Sequence, residues 1–292
     1  MLVVRRLTRL EDLYINKEQF TGDFMSQARI SARSILSITT ALLVAQPAEA
    51  ESDKLSNIRT VAVISLLGNE VDMQTQGTRF DYADYKLHAD WNFDTLIRDY
   101  VTKAVGDRFT IKNDAVHPQL FHDVKNTAFD SVWSEISDRL KAVSQKPEVD
   151  AVIVVYPNAT DTTGFVSPGL AVTHSAPFLF NKGATNLAAT YGVGIYDAKT
   201  GSRIDYGTPK VAASGYIFGN SPPWEGCPNT IWADSEDKLT VDQKKTIRQE
   251  LWSLITRSMP HALLNAGLIS KAQADVLDAS AIPTDPSCGP FH

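Results

Sequence analysis

The stretch Asp150-Ala-Val-Ile-Val-Val-Tyr156 constrains this chain more than any other. Its apolar residues run on without interruption, where a half-buried strand would alternate apolar with polar. Such a strand is buried on both faces and belongs in the interior of a sheet that is covered on each side. The covering elements are also legible. Phe93, Leu96, Ile97, Tyr100, Val101, Ala104 and Val105 recur at helical spacing and form one face of a helix that stops near Gly106. Phe129, Val132, Trp133, Ile136, Leu140 and Val143 make a second amphipathic face, which ends before Pro147. Trp133 and Trp252, on or beside helical apolar faces, read as core residues.

Other segments fill in the order. Arg59–Leu67 is a β-branched run of strand length ended by Gly68-Asn69, and Phe109-Thr-Ile111 is a short strand. The polar and aromatic stretch from Gly68-Asn69 to about residue 90 is a functional excursion or a β-hairpin. Leu187–Tyr196 and Val211–Phe218 read as strands; Asp197–Gly201 is a turn, and Ser202–Tyr206 after it completes a hairpin. Residues 219–236 look irregular. Thr240-Val-Asp-Gln243 is a capping box that opens a long helix carrying Ile247, Leu251, Leu254, Ile255 and Met259. Pro260 is expected to bend or break that helix, with a stop at Asn265-Ala-Gly267 and a last short helix from Ser270. The expected fold is α/β, a three-layer-like mixed sheet flanked by amphipathic helices. It forms a single domain over residues 51–269, with a C-terminal helix and tail over 270–292.

Residues 25–50 read as a secretory signal peptide. Arg29 and Arg33 supply the positive end, Ile35–Ala45 the apolar segment, and Ala48-Glu49-Ala50 the small-x-small cleavage pattern. The competing reading is an amphipathic helix of the domain. Residues 1–24 would make an unusually long leader start, so the reading places initiation at Met25 and treats the upstream extension as a possible start-site artefact. No cysteine follows the apolar segment as a lipid-attachment site. Away from the leader, no apolar run approaches the ~18–20 residues of a membrane-spanning helix. The expected location is periplasmic or secreted. In such an oxidising compartment Cys227 and Cys288, the only two cysteines, suggest a disulfide; the alternative is two unpaired loop thiols. The formal charge is −6, and the part after residue 50 is acidic without a Lys/Arg cluster, which argues against nucleic acid or anionic lipid as its main partner.

Four segments carry a likeness: TVAVISLLGN, the helix NFDTLIRDYVTKAVGDRF running into FTI, the strand DAVIVVYP, and the pair YGVGIYDAKTGSRIDYG. Together they resemble a family of exported bacterial α/β domains. That family includes the amino-terminal domain of the Tol-Pal translocation protein and the curli secretion lipoprotein. Asp197, Thr200 and Gly201 match its Asp-x-x-Thr-Gly turn. The likeness covers roughly residues 58–260 and implies an envelope assembly or protein-interaction role. Residues 219–292, the cysteine pair among them, depart from the family pattern, and the lipid-attachment cysteine is missing.

Motifs for chemistry are sparse. His117 and His122, across Pro118 and beside Asp123, fit neither a helical nor a strand metal face. His174 and Ser175 lie outside any nucleophile-elbow pattern. Gly192 and Gly194, inside a strand, suit close packing or a bulge rather than a dinucleotide loop. No catalytic, metal or cofactor residue is therefore assigned, and no cofactor is expected. Tyr82, Tyr85 and Trp91 lie among Asp81, Asp84 and Asp90, and with Trp224 and Trp232 they form the candidate partner surface. Flat apolar rings beside carboxylates suit an envelope protein or a glycan; the bland alternative is aromatics packed onto the sheet. The leading expectation is an exported, non-enzymatic envelope protein. The others are an envelope hydrolase whose Ser, His and acid meet only in the fold, and a purely structural domain.

Overall fold

The computed structural model describes residues 54–76, 84–121, 124, 132–143, 148–158, 168–175, 184–209 and 224–288. Residues 1–24, the leader with Ala48 and Ala50, Tyr82, His122, Asp123 and the expected strand 211–218 lie outside them. The described elements run in this order: β1 (Thr60–Ser65), β2 (Glu70–Gln76), β3 (Tyr85–His88), α1 (Phe93–Val105), β4 (Thr110–Ile111), α2 (Val132–Ala142), β5 (Ala151–Pro157), β6 (Gly169–Ser175), β7 (Ala184–Asp197), β8 (Arg203–Gly207), β9 (Trp224–Cys227), α3 (Val241–Asn265) and α4 (Lys271–Ala279). Single 3-10 turns occur at 113–115, 118–121, 229–231 and 236–238.

The nine strands form one mixed sheet ordered β3-β2-β6-β7-β5-β1-β4, with β8 and β9 also on β7. β7 organises it. Its carboxy-terminal half, from Tyr191, pairs antiparallel with β5 and β8, while its amino-terminal half pairs antiparallel with β6 and β9. β1 runs parallel to β5, as β2 does to β6, so the two halves repeat one pairing pattern along a shared strand. β2 and β3 are antiparallel, the hairpin alternative for that stretch.

The apolar run is interior, as its composition demands, and alternates between two cores. Ile153 and Val155 join Val61, Val63, Val193 and Ile195 under Ile97 and Val101 of α1 and Leu251, Leu254 and Ile255 of α3. Val152, Val154 and Tyr156 join Ala62, Ile64 and Tyr196 under Val132, Ile136 and Leu140 of α2. Helices therefore cover both faces, and the molecule is a single three-layer α/β domain. Ala274 of α4 enters the first core, which ties the C-terminal helix to it.

Three expectations change. Pro260 neither ends nor splits α3, which runs from Val241 to Asn265. A proline there leaves the carbonyl four residues earlier without its helical donor. That carbonyl is Thr256 O, and the Tyr100 hydroxyl of α1 donates to it at 3.3 Å. The missing bond is replaced from the neighbouring helix. Trp133 is not core: it stands 41% exposed, because it sits one residue (about 100° of helix) from the Val132-Ile136-Leu140 stripe. Residues 224–227 within the segment read as irregular form β9 on the edge of β7.

The β7–β8 turn shows why its residues were singled out. Asp197 Oδ1 accepts from the Lys199 and Thr200 amides and from the Thr200 hydroxyl. Gly201 sits at φ +68°, and a Cβ there would lie 2.5 Å from Ser137 O of α2. Only glycine fits both the backbone and the approach.

Candidate functional site

The sequence-expected surface does not converge as a whole. Tyr85 opens β3 opposite Met73, and Trp232 follows the turn Asn229–Ile231. These two rings meet, with centroids 6.3 Å apart. The Tyr85 hydroxyl donates to Ala233 O at 2.7 Å. Trp91 instead turns inward and meets Phe93 edge-on at 5.6 Å; Phe93 in turn stacks near Trp252 of α3. Trp224 lies on the opposite sheet face against Ala171 and Ala188. The reason is register: Trp224 sits beside Ala188 on β9, and Ala188 points away from the core that Trp232 joins.

His174 is the member that sequence reasoning did not place with these aromatics. It sits near the end of β6, and its ring stacks on Trp232 with centroids 5.1 Å apart and planes 13° apart. His174 Nδ1 lies 2.9 Å from Thr185 Oγ1 of β7. The Thr185 hydroxyl donates to Asn229 Oδ1 at 2.9 Å. A hydroxyl has one hydrogen, so with the Asn229 amide oriented this way Nδ1 must be the donor to Thr185. The relay fixes the neutral ring as the Nδ1–H tautomer and leaves Nε2 as its acceptor. Burial lowers the His174 pKa below 6.5, and the Asp234 carboxylate partly opposes that. The histidine is thus bonded to a threonine, which in turn donates to an amide oxygen. Ser175, its neighbour in sequence, is engaged with the backbone of Ala184.

The segment bearing Trp232 is fastened at several points. Gln243, the third residue of the α3 capping box, donates to Thr230 O at 2.6 Å and Trp232 O at 3.3 Å. Cys227, which ends β9, bonds Cys288 with an S–S distance of 2.00 Å, across 61 residues of sequence. Glu225, two residues before Cys227, is 1% exposed and meets Arg257 of α3 at 2.7 Å. The disulfide pairing joins the C-terminal tail to the base of the aromatic group.

Carboxylates rim the group. Burial pushes the Tyr85 hydroxyl up to about 12, helped by the charges of Asp234, Glu236, Asp84 and Asp237. Tyr85, His174 and Trp232 are each half-buried, so part of each residue remains at the surface. Such an arrangement grips flat or cationic groups by stacking and hydrogen bonding. Among the described residues, no group of three or more His, Cys, Asp or Glu is placed to hold a metal ion, and no helix is long and apolar enough to cross a membrane.

The chain matches no protein-family model and no curated protein.

Proposed function

We propose that this chain is an exported, non-enzymatic protein of the cell envelope, periplasmic or secreted, that binds an envelope protein or glycan through Tyr85, His174 and Trp232. The observation that carries the reading is the ordering of these rings. Three half-exposed aromatic groups from β3, β6 and the segment after β9 are held by hydrogen bonds before any partner arrives. Pre-ordered rings lose little freedom on binding, which is how small aromatic patches achieve useful affinity. The Cys227–Cys288 bond supports export, since such bonds persist in oxidising compartments. The leader-like segment 25–50 supports the same address.

The test has two parts. Cell fractionation of the full chain should place it outside the cytoplasm, shortened at Ala50. Binding of the purified exported form to envelope protein and peptidoglycan-type glycan fractions should then fall at least ~tenfold in Trp232→Ala, while Val276→Ala, at an exposed position of α4, leaves binding unchanged. Retention of the chain in the cytoplasm would refute the address. Equal binding by the Trp232 variant would refute the surface.

A further inference from the structure

A second aromatic group lies on the other face of the sheet. Arg203 of β8 holds its guanidinium 4.6 Å from the ring centroid of Trp133 on α2 and 4.6 Å from that of Tyr206 on β8. These two residues are 41% and 49% exposed, the highest values among the Phe, Tyr and Trp of the described residues.

Strand alternation would send Arg203 and Tyr206, three residues apart, to opposite faces. A bulge prevents that. Tyr206 pairs with Gly194 and Asp205 with Ile195, but Tyr196 pairs with Arg203, so Ile204 is the extra residue. Gly194 and Tyr196 share the α2 face, and the bulge therefore brings Tyr206 and Arg203 onto that face together. Room beneath them is also arranged. A Cβ on Gly194 would lie 2.7 Å from the Tyr196 ring, and one on Gly192 3.1 Å from the Tyr156 ring. The Arg203 charge also reaches the buried Tyr156 hydroxyl, whose pKa burial raises and the guanidinium partly holds down.

The charge of Arg203 has no carboxylate partner among the described residues. Its strand neighbour Asp205 is taken by Lys54 at 2.9 Å. In a chain with 34 acidic and 28 basic residues, an exposed guanidinium set against two aromatic rings, with no carboxylate partner among the described residues, suits an anion.

We propose that Trp133, Arg203 and Tyr206 form a second docking surface, for an acidic polypeptide segment that presents an Asp or Glu carboxylate to Arg203 and apolar side chains to the two rings. Arg, Trp and Tyr are the residues that dominate binding energy at protein interfaces. A guanidinium plane against a ring leaves its N–H edges free for a bidentate carboxylate. The guanidinium covers one face of each ring, which leaves less flat area for a sugar, whereas apolar side chains also pack against ring edges, so polypeptide is favoured over an acidic glycan. The site is independent of Tyr85, His174 and Trp232, which lie on the opposite face.

The test uses the exported full chain labelled with nitrogen-15, so that each tryptophan indole reports separately. The probes are short peptides carrying Asp or Glu beside Leu or Pro, their Asn/Gln twins, and a uronic-acid oligosaccharide. Acidic peptides should shift the Trp133 indole and leave that of Trp232 in place, with affinity that falls as salt rises. Arg203→Gln should weaken binding about tenfold and Trp133→Ala comparably, with unfolding midpoints showing that both variants stay folded. Arg203→Lys should recover only part of the loss, because an ammonium cannot reproduce the planar fork. Equal binding of the neutral twins, binding of the oligosaccharide alone, a Trp133 shift from self-association without peptide, or no response to any acidic peptide would each overturn the proposal.

Discussion

The two halves of β7 share one backbone and live in different chemistry. From Tyr191 to Asp197 the strand lies in a sheet apolar on both sides, between the α1–α3 core and the α2 core. From Ala184 to Thr190 only one side is apolar. On the other, Gln74, Thr173 and Asn186 line up across three strands, ending beside Gly226; the next row is Asp72, Ala171, Ala188 and Trp224. Gln74, Thr173 and Asn186 are buried, and Thr173 Oγ1, Asn186 Oδ1 and Trp224 Nε1 make no hydrogen bond among the described residues. Unpaired buried polar atoms cost stability, whereas a doubly apolar strand supplies it. The carboxy-terminal half is scaffold. The amino-terminal half carries the disulfide, His174 and the ordered rings. The contrast teaches that doubly apolar packing and the proposed Tyr85–His174–Trp232 site divide along the strand rather than between domains, while the proposed Arg203 surface rides on β8 beside the packed half.

Removing the disulfide should break the comparison most visibly. Cys227→Ser with Cys288→Ser opens a loop of 61 residues and should cost about 4 kcal/mol on chain-entropy grounds. Hydrogen exchange should then quicken first at 224–233, with β1 and β5 keeping their protection. Uniform quickening would show that the halves unfold as one unit, and the division would fail.

A matched pair of core substitutions sharpens the same point. Ile153→Ala, at a fully buried site of the scaffold half, should cost about 3 kcal/mol in denaturant unfolding. Thr173→Val, equally buried, deletes a hydroxyl without a partner among the described residues and should lie within about 1 kcal/mol of the parent, on the stabilising side. A large loss from Thr173→Val would mean that its hydroxyl has a partner that matters.

What the sequence disclosed follows the same line. β1, β5, α1 and the start of α3 were legible because local pattern and burial agree there: periodic apolar residues, and a capping box whose reciprocal bonds form as the Thr240–Gln243 spacing implies. β6 and β9 were not. Their small and polar residues mix, and pairing with β7 makes them strands. The continuity of α3 through Pro260 depends on Tyr100, a residue 160 positions earlier in the chain that no local rule connects to it. At the site, composition found Tyr85 and Trp232, but the reversal between β9 and the 229–231 turn that parts Trp224 from Trp232 is a matter of register. The His174–Thr185–Asn229 relay joins three separate segments, and the Ile204 bulge has no signature of its own in the residues around it.

Gly194→Ala probes the scaffold half at finer scale. Its methyl would press on the Tyr196 ring, which is itself buried, and overpacking of this kind should cost about 1–3 kcal/mol. The same substitution should also weaken acidic-peptide binding at Arg203, since Tyr206 sits directly across from Gly194. Lost stability with unchanged peptide affinity would separate the packing from the docking surface.

The smallest effect is a pH dependence confined to the recognition half. Burial depresses the His174 pKa in the folded state below 6.5, its unfolded value, so the unfolded chain takes up the proton first as pH falls. The contribution of this residue is therefore complete above pH ~6.5 and declines as pH drops through the folded-state value, levelling off below it. Asp234 opposes the shift, so Asp234→Asn should depress the His174 titration further and carry the decline to lower pH. His174→Gln should flatten this part of the unfolding profile at mildly acidic pH, and nuclear magnetic resonance titration of the His174 ring supplies the midpoint directly. The Nδ1–H donated to Thr185 is present in both charge states, so protonation adds a hydrogen only at Nε2. The stack on Trp232 should then survive titration with its geometry intact. Loss of the His174–Trp232 contact on acidification would show that the relay does not hold the ring, and that the order of the site comes from the disulfide-bound segment alone.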